Sequence, residues 1–206
     1  MMFSTLPPCG RAARRALVLV ALITIAPSVR AQAASSVPRP PKIETLANRA
    51  GVLMAQGARE IGTVAGRAAG GTLDSGSVAV EIRRIADVGT ARKVFGLALI
   101  VDDEGSSGAR MAWIDYDEID GLLGALDSLA KADTATSPFA EVTTFYRTRG
   151  RLVVSAFRDV APWASVGVDG PSDGTVPLPR QRLGELRALV QRAQHEIDAI
   201  RSVTGR

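Results

Sequence analysis

Three groups of side chains in this chain have types and spacings that chemistry could use. The densest acidic cluster is Asp115, Asp117, Glu118 and Asp120. Neighbouring carboxylates can serve as general acid and base, or can hold Ca²⁺. This spacing fails the EF-hand pattern. Asp115 and Glu118 instead have the three-residue separation of a capping box, at a helix start where the dipole favours negative charge. Asp102, Asp103 and Glu104 also fail the Ca²⁺ pattern and read as a solvated hairpin tip. The second group is cationic: Arg147, Arg149 and Arg151, with Phe145 and Phe157 close in sequence. Such a set can hold a phosphate, a carboxylate or a stacked ring. The competing reading is a hairpin end whose charges serve solubility. The third group is single residues. His195 is the only histidine and Cys9 the only cysteine. A two-histidine metal site is impossible, and His195 falls opposite the apolar seam of its helix, away from any partner that would make it catalytic. No metal and no cofactor are expected.

The elements that must position these groups can be read from periodicity. Ser77 to Ile85 alternates apolar and polar, Lys93 to Val101 is more continuously apolar, and Ala109 to Ile114 returns as a third strand. Asp115 opens a helix whose buried stripe is Ile119, Leu122, Leu123, Leu126 and Leu129. Gly121 and Gly124 lie off that stripe and suggest the close approach of another backbone. Residues 140–158 read as a hairpin around Thr148-Arg149-Gly150, with Gly150 in the left-handed position. That register pairs Tyr146 with Leu152 and sets Arg147 opposite Arg151. Trp163 to Val168 and Thr175 to Leu178 are further strands. A last helix over about 180–201 carries Leu183, Leu186, Val190, Ala193, Ile197 and Ile200 on one seam. The earlier stretch 42–69 is ambiguous. Ile43, Leu46, Ala50, Leu53, Met54, Gly57, Ile61 and Val64 approximate a helical stripe, weakened by four glycines.

The N-terminus changes the chemistry that the whole chain suggests. Arg11, Arg14 and Arg15 precede an apolar run from Ala16 to Ala26, and small residues follow up to Ala33. This is the layout of a secretory signal peptide, assigned to 1–31, and the run is too short for a mature membrane span. The full chain has 25 basic and 21 acidic residues. Cleavage after Ala31 removes four arginines and no acid, leaving 21 of each. The basic excess that would suggest nucleic acid as a partner disappears with the signal. So does Cys9, and with it thiol chemistry and disulfides. The organisation expected is a signal peptide (1–31), a flexible or weakly helical segment (32–72) and one α+β domain (73–206).

Strand, cap and helix recur 64 positions apart. Ile114 aligns with Leu178, Ile119 with Leu183, Leu122 with Leu186, Leu126 with Val190 and Leu129 with Ala193. The fold class expected is therefore α+β, an antiparallel sheet with two amphipathic helices, built from a duplicated unit of three or four strands and a helix.

The block Ala112-Trp113-Ile114-Asp115-Tyr116-Asp117-Glu118-Ile119-Asp120-Gly121-Leu122-Leu123 resembles one that recurs in uncharacterised exported bacterial proteins, as does Tyr146-Arg147-Thr148-Arg149-Gly150. That resemblance covers about residues 77–201 and implies no activity. The repeated β-then-α plan is also similar to the whirly fold of single-strand nucleic-acid binders. Their basic Lys-Gly-Lys strand motif has no match in Arg92-Lys93-Val94-Phe95-Gly96-Leu97. The function expected is a periplasmic or secreted, non-enzymatic binding or interaction module, with an envelope protein or a small anionic ligand as its partner. Arg147, Arg149, Arg151, Phe145 and Phe157 are the candidate ligand residues. An enzyme with a carboxylate site near Asp115–Asp120 is the alternative, and a single-strand nucleic-acid binder is suggested by fold analogy alone.

Overall fold

Alternating apolar residues along eight segments build two antiparallel sheets that share one core. A computed structural model describes residues 39–67, 76–104, 108–132, 142–157, 163–170 and 174–204. The expected signal peptide lies outside the described residues. The first sheet is a meander of β1 (Met54–Ala65), β2 (Ser77–Asp87), β3 (Lys93–Asp102) and β4 (Arg110–Asp115). A single 3-10 turn over Tyr116–Glu118 then leads into α2 (Ile119–Lys131). The second sheet repeats the plan with β5 (Thr143–Arg147), β6 (Leu152–Phe157), β7 (Trp163–Val168) and β8 (Thr175–Pro179), followed by α3 (Arg180–Thr204). A short helix, α1 (Lys42–Ala47), precedes the first sheet. The architecture is thus α+β, with a four-strand-then-helix unit occurring twice. Every pair in the 64-residue alignment, from Ile114 and Leu178 to Leu129 and Ala193, is buried in the same core.

That core is one continuous cluster. Val78, Val80, Leu97 and Leu99 of the first sheet meet Leu152, Val154, Val166 and Val176 of the second, and the stripes of α2 and α3 close over them. Burial on this scale is the main source of stability, at about 25 cal/mol for each Å² of apolar surface removed from water. Polar links tie the two helices together. Gln194 donates to Asp120 at 2.7 Å, Arg187 pairs with Asp127 at 3.1 Å, and the Tyr116 hydroxyl donates to Asp198. The Arg201 guanidinium lies 4.2 Å over the Tyr116 ring.

The helical reading of 42–69 needs correction. Only Lys42–Ala47 is helical, and Met54–Ala65 is the edge strand of the first sheet. The reason is a β-bulge. The register with β2 shifts between Glu60 and Gly62, so Ile61 is an extra residue in β1. Ile61 and Val64 are both buried although they stand three apart, a spacing that imitates a helix. The boundary expected at residue 73 therefore cuts a strand pair, since β1 and β2 are hydrogen-bonded neighbours. Arginines of α3 seal part of this edge: Arg192 donates to the Ile61 carbonyl at 3.0 Å and Arg182 to that of Ala65.

The second hairpin has a different register from the one expected. Arg147 pairs with Val153, Tyr146 with Val154 and Thr144 with Ala156. The loop is four residues long, and the left-handed conformation falls on Arg151 (φ 66°), not on Gly150. Thr148 organises it: its N–H donates to the Leu152 carbonyl at 3.0 Å, its carbonyl accepts the Arg151 N–H at 3.1 Å, and its hydroxyl accepts the Leu152 N–H at 3.1 Å. Gly150 is required for another reason. A Cβ there would lie 1.7 Å from the carbonyl oxygen of Trp113 on the edge strand β4. Close backbone approach occurs at Gly150, then, and not at the two glycines of α2. Gly121 faces the Tyr146 hydroxyl, and a Cβ on Gly124 would meet nothing within 4 Å.

These two kinds of glycine should respond oppositely to alanine. Gly150→Ala forces the hairpin off Trp113 and should cost about 1–3 kcal/mol. Gly124→Ala removes a helix-interior glycine at no steric cost and should stabilise by up to about 1 kcal/mol. Urea unfolding of the two variants checks the signs. Equal effects would refute the assignment.

Candidate functional site

The acidic block and the arginine hairpin, separate in the sequence, meet at α1. Asp115 ends β4 and is 2% exposed. Its Oδ2 accepts the main-chain N–H of Lys42 at 2.8 Å and its Oδ1 that of Ile43 at 2.9 Å. One carboxylate thus satisfies two of the donors that a helix start leaves free. The capping box is present as well, with Glu118 Oε2 3.4 Å from the Asp115 N–H.

Arg149 enters the same cluster from the hairpin. Its main-chain N–H donates to Glu118 Oε1 at 2.8 Å. Its guanidinium lies 2.5 Å from Asp117, 3.2 Å from Glu118 and 3.6 Å from Asp115. Burial works against this charge, but Asp117 and Glu118 outweigh it and hold the Arg149 pKa above its usual value. Lys42 Nζ completes the group with an ion pair to Asp117 at 2.9 Å. The bond from Lys42 is the largest influence on Asp117, and with Arg149 it lowers the carboxyl below the ordinary aspartate range despite partial burial.

This geometry disperses the three arginines of the expected ligand site. Arg149 is engaged by carboxylates. Arg151 turns away and pairs with Asp169 at 2.9 Å and with Glu44 at 3.9 Å. Arg147 faces Val153 rather than Arg151, so the cation pair across the hairpin does not form. Arg147, Phe145 and Phe157 do share the outer face of the second sheet, where Phe145 is 63% exposed. Asp120 accepts from Gln194, and His195 is exposed on α3. Among the described residues no cluster of His, Cys, Asp or Glu could hold a metal ion.

The feature that the sequence did not reveal lies on the other side of α1. A cavity of about 630 Å³ is lined by Arg39, Pro40, Lys42, Thr45, Leu46, Arg49 and Arg92. Four of the seven are cationic and none is acidic. Among the described residues, Arg39 and Arg92 form no ion pair. Arg49 reaches Asp87 at 3.5 Å. Asp87 is buried, and its Oδ1 accepts the N–H groups of Gly89 at 2.9 Å and Thr90 at 3.1 Å. Hydrogen bonds from the Thr90 side chain and main chain lower its pKa, with smaller help from Gly89 and Arg49 against the cost of burial. A second, smaller cavity of about 220 Å³ shares Lys42 and has a mixed lining, with Lys93 and Arg201 beside Asp115 and Asp117. Three of the four cations of the larger cavity lie within residues 39–49, but Arg92 joins them only on folding.

Neither a protein-family model nor a curated protein matches this chain. Among the described residues no helix is long and apolar enough to cross a membrane.

Two measurements test this arrangement. Asp115→Ala leaves two N–H groups of α1 without their acceptor and should lower stability by about 2–3 kcal/mol, with hydrogen exchange showing α1 released first. The acid limb follows from Asp87 and Asp117. Both carboxyls are lower in the folded chain than in the unfolded one, so the folded state gains stability above the ordinary aspartate value of 3.8 and loses it as pH falls through the folded values. Asp87→Asn with Asp117→Asn should flatten the fall in stability below that pH in acid-titration melts. An unchanged slope would contradict it.

Proposed function

We propose that this chain is an exported, non-enzymatic binding module whose ligand is a small anion bearing phosphate or carboxylate groups. One observation carries the reading: the cavity beside α1 is lined by four cations and no carboxylate. Its volume of about 630 Å³ suits a small molecule. Leu46 and Pro40 supply apolar wall, and the guanidinium groups of Arg39 and Arg92 are free to fork onto an oxyanion. Export rests on the layout of residues 1–31.

The reading places the ligand beside α1 rather than on the hairpin arginines. It also weighs against carboxylate chemistry at Asp115–Asp120, because each of those acids already holds a helix start, an arginine, a lysine or an amide. Single-strand nucleic-acid binding has topology alone in its favour.

Calorimetric titration with pyrophosphate and with citrate tests the cavity. Arg39→Gln with Arg92→Gln should leave the thermal melt unchanged, since neither side chain forms an ion pair among the described residues. Affinity should fall by about tenfold for each charge-assisted bond lost. Binding equal to that of the unaltered chain would exclude the cavity as the site.

A further inference from the structure

The cationic cavity is linked through Asp87 to a pair of exposed aliphatic side chains. Leu53 is 73% exposed and Val88 54% exposed. They are held side by side, because the Val88 N–H donates to the Leu53 carbonyl at 3.0 Å. Asp87, the next residue, fixes both to the cavity. Its carboxylate holds Arg49 and the turn at Gly89 and Thr90, and its N–H donates to the Arg92 carbonyl at 2.9 Å. The turn is tight enough to put Ala91 at φ 56°. Two exposed aliphatic side chains thus stand at the end of the β1–β2 pair, joined through Asp87 to Arg49 and Arg92.

We infer that this end of the sheet docks onto an anionic phospholipid surface, with headgroup phosphates in the cationic cavity and Leu53 and Val88 inserted among the acyl chains. The inference rests on the anion-binding reading above and names the source of the anion. A dissolved anion would leave the two aliphatic chains without a purpose. A protein partner fits less well, because interface centres are usually built from aromatic anchors in complementary hollows, and this end of the sheet offers two exposed aliphatics. A lipid interface uses both features: cations gain from the negative surface potential, and short apolar side chains reach the acyl boundary.

The test is co-sedimentation of the full chain with vesicles of equal phosphatidylglycerol and phosphatidylcholine, against vesicles of phosphatidylcholine alone. Residues 1–31, with their apolar run and four arginines, are common to every variant, so the readout is the difference between variants on the same vesicles. The unaltered chain should prefer the anionic vesicles and be released by salt. Leu53→Ser with Val88→Ser should lose about tenfold in vesicle affinity while binding pyrophosphate unchanged. Arg39→Gln with Arg92→Gln should weaken both, by about fivefold per arginine on the vesicles. The inference is overturned if the serine variant sediments like the unaltered chain, or if the two lipids are bound alike. Pyrophosphate binding without a lipid preference would reject the membrane surface and leave the cavity standing, as an acidic protein partner would require. Absence of both in the unaltered chain would reject the cavity itself.

Discussion

The buried carboxylate of Asp115 is the point on which the arrangement around α1 depends. A charge taken out of water is costly unless its lone pairs and its field are answered. Here the answers come from three directions. Two main-chain N–H groups arrive from α1, more than seventy residues earlier in the chain. A guanidinium arrives from the β5–β6 hairpin. The third comes from its own helix start, where the Glu118 main-chain N–H donates to the Asp115 side chain in the capping box. The two N–H groups of α1 would lose their acceptor without the carboxylate, and the carboxylate its two shortest hydrogen bonds without them. The short helix is therefore fastened to the first sheet by polar bonds at its start and by Ile43 and Leu46 packing on Ile85 along its body. The cationic cavity exists because α1 is held there.

The repeated unit explains why the same cluster can link both halves. Each meander ends in a strand whose last residues pass into a helix, and α2 and α3 lie against each other in the common core. The hairpin of the second unit reaches the end of β4 in the first, and Gly150 permits that approach at Trp113. Only the first unit carries the acidic residues that Arg149 meets. The repeat is one of architecture and core, and its polar decoration differs between the halves.

Much of this was legible in the sequence. Seven of the strands, both long helices and the buried register between them follow from alternation and from the stripes on α2 and α3. Two physical effects hid the rest. In β1, the bulge at Ile61 broke the period of two and mimicked the period of a helix. In the hairpin, local turn chemistry favoured a left-handed glycine, whereas the contact with Trp113 fixed Gly150 and moved the left-handed residue to Arg151. The acidic block was rightly read as a helix start. Its further role could not be seen, because the partners of Asp115 are distant main-chain N–H groups and carry no side-chain signature. The cavity was hidden for a related reason: Arg92 joins the other three cations only on folding.

The arginines that α3 lends to β1 bear on how the open border of the first sheet is protected. Every open sheet border is a template on which another chain could crystallise its own strand. Along Ile61 and Ala65 that template is filled by guanidinium groups, which imitate the donors of a missing neighbour. Along Ala55–Glu60 the side chains are exposed on both faces. That half is guarded by its composition, in which Gly57 pairs poorly and Arg59 and Glu60 carry charge. Replacing those few small and charged residues with β-branched apolar ones would keep the register with β2 and yet offer the border to another strand, the first step of a fibre.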